Sequence, residues 1–179
     1  ELMRTTTQTI LRARKKNTPV IVKMTPNVTD LVDVARGAVE GGADALCCID
    51  TVRGFIGIDL ETGYPKLNVN GLSTWGGLSG PAVKPIALGC VSKLTKELDI
   101  PVAGVGGVSN WQDAAEFLLL GARNVQVCTA ISRYGFGMVQ SMQKGLLRYM
   151  EQKGFTSLDA MVGKSLPYLV DHSELSRDN

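Results

Sequence analysis

The sequence predicts an α/β fold in which parallel βα repeats form the C-terminal half of a TIM (β/α)8 barrel. Short apolar runs at 20–24, 45–49, 101–105 and 124–128 alternate with stretches of helical periodicity. That is the pattern of parallel strands joined by right-handed helical crossovers. Small and polar residues follow the runs, among them Asp50-Thr51, Gly106-Gly107 and Thr129-Ala130. In such barrels the strand ends form the functional face, so these residues belong there. A helix with no strand before it opens the chain, and four βα units amount to half of a (β/α)8 barrel or to a small doubly wound sheet.

Residues 2–16 read as the first helix, with Leu2, Met3, Ile10 and Leu11 apolar and a basic end at Arg12 to Lys16 that complements the helix dipole. Asn17-Thr18-Pro19 breaks it, and 20–24 is the first strand. Thr29 or Asp30 caps a helix over 31–40, which Gly41-Gly42 stops before the strand at 45–49. From Val52 to Gly80 the rhythm lapses into glycine, proline and short alternating pieces. The expectation is a hairpin-bearing active-site loop over 52–80 with Glu61-Thr62-Gly63 at its turn, since loops this long inside a domain usually carry function.

A third helix spans 82–98, with Pro85 in its first turn where a missing N–H is tolerated. The strand at 101–105 follows, then a helix over 111–120 and the strand that stops at Thr129-Ala130. A helix over 137–153 carries Met138, Val139, Met142, Leu146, Leu147 and Met150 at helical spacing, read as core. Residues 155–162 add a short helix capped by Ser157, and the polar tail is expected to fray.

A chain of 179 residues suffices for one domain with a sizeable core, and 1–179 reads as a single domain. A net charge of +2, with no basic cluster longer than Arg12 to Lys16, argues against nucleic-acid binding. No apolar run approaches the ~20 residues that span a bilayer. With no leader pattern either, the expected location is cytoplasmic, with no membrane partner. Cys47, Cys48, Cys90 and Cys128 show no C-x-x-C spacing and read as reduced core thiols, with no metal site.

Several residues carry chemistry. Lys23 alternates with Val22 and Met24, so it shares a face with Ile21; if that face is the barrel lumen, Lys23 projects into the mouth. Asp50 and Thr51 end the second strand at the same mouth and offer hydrogen bonds of different character, although Asp50 also suits a turn. Three strand-to-helix junctions, at 76–80, 104–107 and 128–130, leave backbone donors free to converge on an anion such as a phosphate. Cys128 is expected to contribute backbone, not thiolate. His172 lies in the tail with no triad partners.

Lys23-Met24-Thr25-Pro26-Asn27, Asp50-Thr51-Val52, Leu78-Ser79-Gly80, Val83 to Leu88, Val105-Gly106-Gly107 and Gln126-Val127-Cys128-Thr129 occur in that order, and Asp113 to Ala122 extends the pattern. As an ordered set they resemble the FMN-binding barrel of dihydropyrimidine dehydrogenases, most closely the bacterial NAD-dependent type, within the dihydroorotate dehydrogenase-like superfamily. The resemblance implies FMN as cofactor, with Lys23 catalytic near the flavin ring's N1 and O2. It implies that Ser79, Gly80, Val105, Gly106, Gly107, Cys128 and Thr129 hold the ribityl phosphate, and that Asp50 and Thr51 meet a pyrimidine base.

The implied reaction reduces the C5–C6 double bond of uracil or thymine in pyrimidine catabolism, with hydride from FMN N5 and a proton from an enzyme acid. Asp50 stands where the family has an asparagine that both donates and accepts, whereas an ionised Asp only accepts. The family's catalytic cysteine would precede Glu1, and its iron–sulfur cysteines would follow Asn179. NAD(P) and iron–sulfur clusters are therefore expected only through other regions or a partner subunit. The implied partners are an N-terminal half-barrel, an electron-donating flavin/NAD subunit and further copies in an oligomer. Dihydroorotate dehydrogenase of pyrimidine biosynthesis and a non-catalytic FMN-binding half-barrel stand as alternatives.

Overall fold

A computed structural model describes residues 1–175. Four strands, β1 (Ile21–Met24), β2 (Ala45–Cys48), β5 (Val102–Val105) and β6 (Asn124–Gln126), form one parallel sheet in the order β1-β2-β5-β6. The register aligns Lys23 with Cys47, Cys47 with Ala103, and Val105 with Gln126. Strands adjacent in space thus follow one another in the chain, as the staves of a barrel do. The sheet confirms the parallel βα repeats expected from the sequence.

Helices cover one face. They are α1 (Leu2–Ala13), α2 (Leu31–Glu40), α3 (Lys84–Glu97), α4 (Trp111–Leu119), α5 (Thr129–Tyr134), α6 (Gly137–Lys153) and α7 (Leu158–Met161). Between them and the sheet lies the main core, built on Met24, Leu46, Cys48, Val91, Leu94, Val102 and Phe117. Met24, Leu46, Cys48 and Val102 point to this face because side chains alternate along each strand. Gly104 lets α4 settle onto β5, since a Cβ there would lie 2.5 Å from the Phe117 ring. Phe117 is fully buried, so Phe117→Ala is expected to cost about 3–5 kcal/mol, read as a lowered denaturation midpoint. A midpoint shift worth under about 1 kcal/mol would contradict this packing.

Caps account for the helix starts. Asp30 accepts the Asp33 N–H at 2.9 Å, Asn110 accepts the Asp113 N–H at 2.9 Å, and Ser157 accepts the Ala160 N–H at 3.1 Å. Asp30, not Thr29, therefore caps α2.

Other expectations need correction. The first helix ends at Ala13, three residues short of Lys16, because Arg14 turns away to pair with Asp44 at 2.8 Å and with the Thr18 carbonyl at 3.0 Å. The third helix opens with a 3₁₀ turn over Pro81–Val83 before α3 begins at Lys84. The last strand stops at Gln126, and α5, which the sequence reading did not foresee, starts at Thr129. Of the apolar stripe on α6, Met150 is buried and Met142 and Leu146 pack inward, but Val139 and Leu147 remain exposed. Only Cys47 and Cys48 are buried thiols; Cys90 is half-buried and Cys128 exposed, so the reading of four core cysteines fails for the last two. His172 sits in an exposed 3₁₀ turn, and the last part of the tail, 176–179, lies outside the described residues.

The long loop is organised by its two ends. Strand β3 (Val52–Gly54) pairs antiparallel with β4 (Gly76–Leu78), which holds the excursion shut at its base. The expected turn at Glu61-Thr62-Gly63 is present beneath an isolated Ile58–Pro65 bridge, where the Asp59 carboxylate accepts the Glu61 N–H at 2.9 Å. A second turn, at Asn70-Gly71, lies between Val69 and Leu72, which exchange hydrogen bonds of 2.8 and 3.1 Å. Both turn residues have positive φ, at 52° and 81°, the geometry for which Asn-Gly is favoured.

Candidate active site

A cleft of about 200 Å³ opens at the C-terminal ends of the strands. Its lining brings together Lys23, Asp50, Thr51, Ser79, Gly80, Val105, Gly106, Gly107, Cys128 and Thr129, whereas Gly76, Gly77, Gly104 and Ala130 of the three expected junctions lie outside it, the first two because they pair in β4. Gln126, Leu78, Ile49, Val83 and Val108 complete the walls. Gln126 was missed, although the alternation that flagged Lys23 applies equally to a polar residue between Val125 and Val127.

One end of the cleft is built of close backbone approaches. Gly80, Gly106 and Gly107 have φ of +83°, +136° and +76°, a region that side-chain-bearing residues rarely adopt. A Cβ at Gly107 would lie 2.8 Å from the Gly80 carbonyl oxygen and 2.9 Å from the Lys84 nitrogen. Glycine thus lets the β5–α4 turn touch the start of α3. Across from it, Thr129 Oγ1 donates to Ser79 Oγ at 3.1 Å, tying α5 to the end of the long loop. Among the described residues, the N–H groups of Gly80, Gly107 and Thr129 have no acceptor within the chain. Such donors, in a cradle that a side chain would fill, fit an anionic oxygen group such as a phosphate.

The Cys128 carbonyl accepts the Ile131 N–H at 2.9 Å and so closes the first turn of α5. Its thiol is exposed at this rim.

The other end is a polar rim on the lumen side. Lys23 lies there, exposed, and among the described residues no carboxylate pairs with it. Below it, Cys47 Sγ donates to Gln126 Oε1 at 3.3 Å, across the face of β5. Burial pushes the Cys47 thiol above its ordinary range, and the nearby Lys23 charge opposes this. Cys47 therefore stays a neutral donor to Gln126.

Asp50 accepts the Thr51 N–H at 2.8 Å through Oδ1, so the turn role and the cleft position coexist. Asn27 braces the same corner, donating to the Thr51 carbonyl at 2.9 Å and accepting the Arg53 N–H at 2.9 Å. Gly77 makes room for Thr51, since a Cβ there would lie 2.6 Å from the Thr51 Cβ. Strand β4 therefore presses Thr51 into place.

Just behind the phosphate-like cradle, Lys84 Nζ contacts Asp113 Oδ1 at 2.7 Å and Glu116 Oε2 at 2.8 Å. Hydrogen bonds to these two carboxylates, Asp113 first, hold the ammonium above its ordinary range. Sequence reasoning also missed this cluster. Its only signal is a lysine at the first residue of a helix, where the dipole disfavours a cation.

The comparisons with known proteins agree with this architecture. A family model described as dihydroorotate dehydrogenase matches residues 1–150. The NAD-dependent dihydropyrimidine dehydrogenase subunit PreA of Escherichia coli (strain K12) is 44% identical over 167 residues, 92% of this chain and 41% of that protein. The catalytic subunit of dihydroorotate dehydrogenase B (NAD(+)) of Methanothermobacter thermautotrophicus is 46% identical over 145 residues, 81% of this chain and 46% of that protein. The chloroplastic dihydropyrimidine dehydrogenase (NADP(+)) of Arabidopsis thaliana is 40% identical over 167 residues, 90% of this chain and 39% of that protein. The chain spans less than half the length of these relatives. On the family match and these identities, the chain belongs to the dihydroorotate dehydrogenase family of oxidoreductases, whose fold is of the TIM-barrel type.

Proposed function

We propose that this chain supplies the phosphate-binding side of an FMN-dependent oxidoreductase that reduces the C5–C6 double bond of uracil or thymine. The observation that supports it most is the two-ended cleft, with unpaired N–H groups at Gly80, Gly107 and Thr129 and an unpaired ammonium at Lys23. Ser79, Gly80, Val105, Gly106, Gly107, Cys128 and Thr129 would hold the ribityl phosphate. Bound there, FMN supplies two-electron redox chemistry, while the protein binds and orients it. Lys23 supplies the cation that stabilises negative charge on the ring, and Asp50 and Thr51 meet the base.

In this reading a further segment closes the barrel over the open lumen face and carries the acid that protonates the substrate. An electron-donating partner connects the site to NAD(P), through iron–sulfur clusters outside positions 1–179. The words "subunit" and "NAD-dependent" in the relatives' names support such a partner. The charge balance and the lack of any helix long and apolar enough to cross a membrane, among the described residues, favour a cytoplasmic enzyme.

Asp50 favours a neutral pyrimidine over dihydroorotate, because a rim carboxylate repels a substrate that carries its own. The test compares uracil reduction with dihydroorotate oxidation by the full-length protein. Preferred dihydroorotate oxidation would replace the proposal with the biosynthetic reading. Asp50→Asn is expected to tighten inhibition by orotate about tenfold and to move uracil less, the size of one modest charge interaction. An orotate inhibition constant that does not move would remove Asp50 from substrate selection.

A further inference from the structure

Lys84 and Asp113 lie outside the cleft lining, yet they grip its glycine turn from behind. Asp113 is nearly buried, at 6% exposure, and uses both oxygens. Oδ1 takes the Lys84 ammonium at 2.7 Å, and Oδ2 accepts the Ser109 N–H at 2.8 Å. Ser109 Oγ in turn donates to the Gly107 carbonyl at 3.2 Å. At the other side of the turn, a Cβ on Gly107 would lie 2.9 Å from the Lys84 nitrogen, so there is no space for a side chain. A chain of contacts therefore runs from the first residue of α3 through α4 to Gly107 and back.

The energetics favour a specific purpose. A cation at a helix N-terminus opposes the dipole, and a buried carboxylate is costly to desolvate. The pair satisfies both groups and fixes the start of α3 against the start of α4. The two junctions so joined are those that present Gly80 and Gly107 to the cleft.

We propose that the Lys84–Asp113 ion pair is a positioning device for the phosphate cradle, setting the distance between the Gly80 and Gly107 donors. It therefore governs recognition of the phosphate and not of the rest of the cofactor. The inference rests on the flavin reading above. Geometry and charge make opposite predictions for one variant. Asp113→Asn removes a negative charge behind the cradle, which by electrostatics alone would strengthen anion binding. If the pair acts by position, the same variant weakens it.

The experiment titrates FMN and riboflavin, which lacks the phosphate, into the full-length protein and into its Asp113→Asn and Lys84→Gln variants, reading flavin fluorescence. Both variants are expected to lose about tenfold in FMN affinity while riboflavin stays within about twofold, since displaced Gly80 and Gly107 donors lose about one charge-assisted hydrogen bond to the phosphate and none to the rest of the flavin. Unchanged or tighter FMN binding in Asp113→Asn overturns the inference. So does an equal loss for both flavins, which would mark a general structural role. If Asp113→Asn does not fold, the double variant Lys84→Gln/Glu116→Gln decides by the same ratio: it removes the pair without changing the net charge behind the cradle and leaves the Asp113–Ser109 bond in place, so charge alone predicts no change in FMN affinity. A wild-type protein with no preference for FMN over riboflavin would instead overturn the flavin-phosphate reading itself, and the inference with it.

Discussion

Replacing Lys23 by methionine is expected to lower the reduction potential of the flavin bound to the full-length protein by about 30–60 mV. Lys23 sits near the top of β1, on the lumen face shared with Cys47 and Gln126. Among the described residues it has no carboxylate partner, so its charge is free to act on whatever occupies the cleft. Two unit charges 4 Å apart near a protein surface interact by about 4 kcal/mol, and the solvent exposure of this rim reduces that to about 1.4–2.8 kcal/mol. For a two-electron couple, 1.4 kcal/mol corresponds to about 30 mV. The reduced flavin, which carries more negative charge, loses more affinity than the oxidised form. A redox titration reads the shift directly; an unchanged potential would falsify the role of Lys23.

Gly107→Ala is expected to remove FMN binding almost entirely and to destabilise the fold. The residue has φ of +76°, which costs a side-chain-bearing residue about 1–2 kcal/mol. The added methyl would also meet the Gly80 carbonyl oxygen at 2.8 Å and the Lys84 nitrogen at 2.9 Å. Both obstacles are backbone atoms, so relief requires α3 and the long loop to move, at a further cost of about 1–3 kcal/mol. Moving them separates the donors, and affinity should fall about a hundredfold or more. The control is Gly89→Ala, a helical position where a Cβ meets nothing within 4 Å. That change should leave stability equal or higher by up to about 1 kcal/mol. Equal FMN affinity in Gly107→Ala and wild type would sink the cradle geometry.

Much of the architecture was legible because local chemistry and tertiary context agree. The strands around Val22, Leu46 and Val102 are short apolar runs that end where glycine or polar residues permit, and α2, α4 and α7 begin where Asp30, Asn110 and Ser157 satisfy free N–H groups. Alternation put Lys23 on the face opposite Val22 and Met24, and Gln126 could have been placed by the same rule; which face is the lumen was not legible from alternation. The Asn70-Gly71 turn carried its usual signal and was overlooked.

What escaped is of another kind. Helix α5 has six residues, too few for periodicity to declare. Strand β4 contains two glycines and pairs only because Val52–Gly54 lies beside it. Arg14 leaves the first helix for Asp44, 30 residues on, and Lys84 finds Asp113 across 29 residues. The sequence by itself determined the βα rhythm, the Ser157 cap and the small residues at the strand ends, since these follow from periodicity and backbone sterics within a few residues. Only the tertiary structure decided which donors converge, which cation stays unpaired and which is gripped by carboxylates. Those outcomes depend on distances between segments far apart in the chain, and such distances are set by packing.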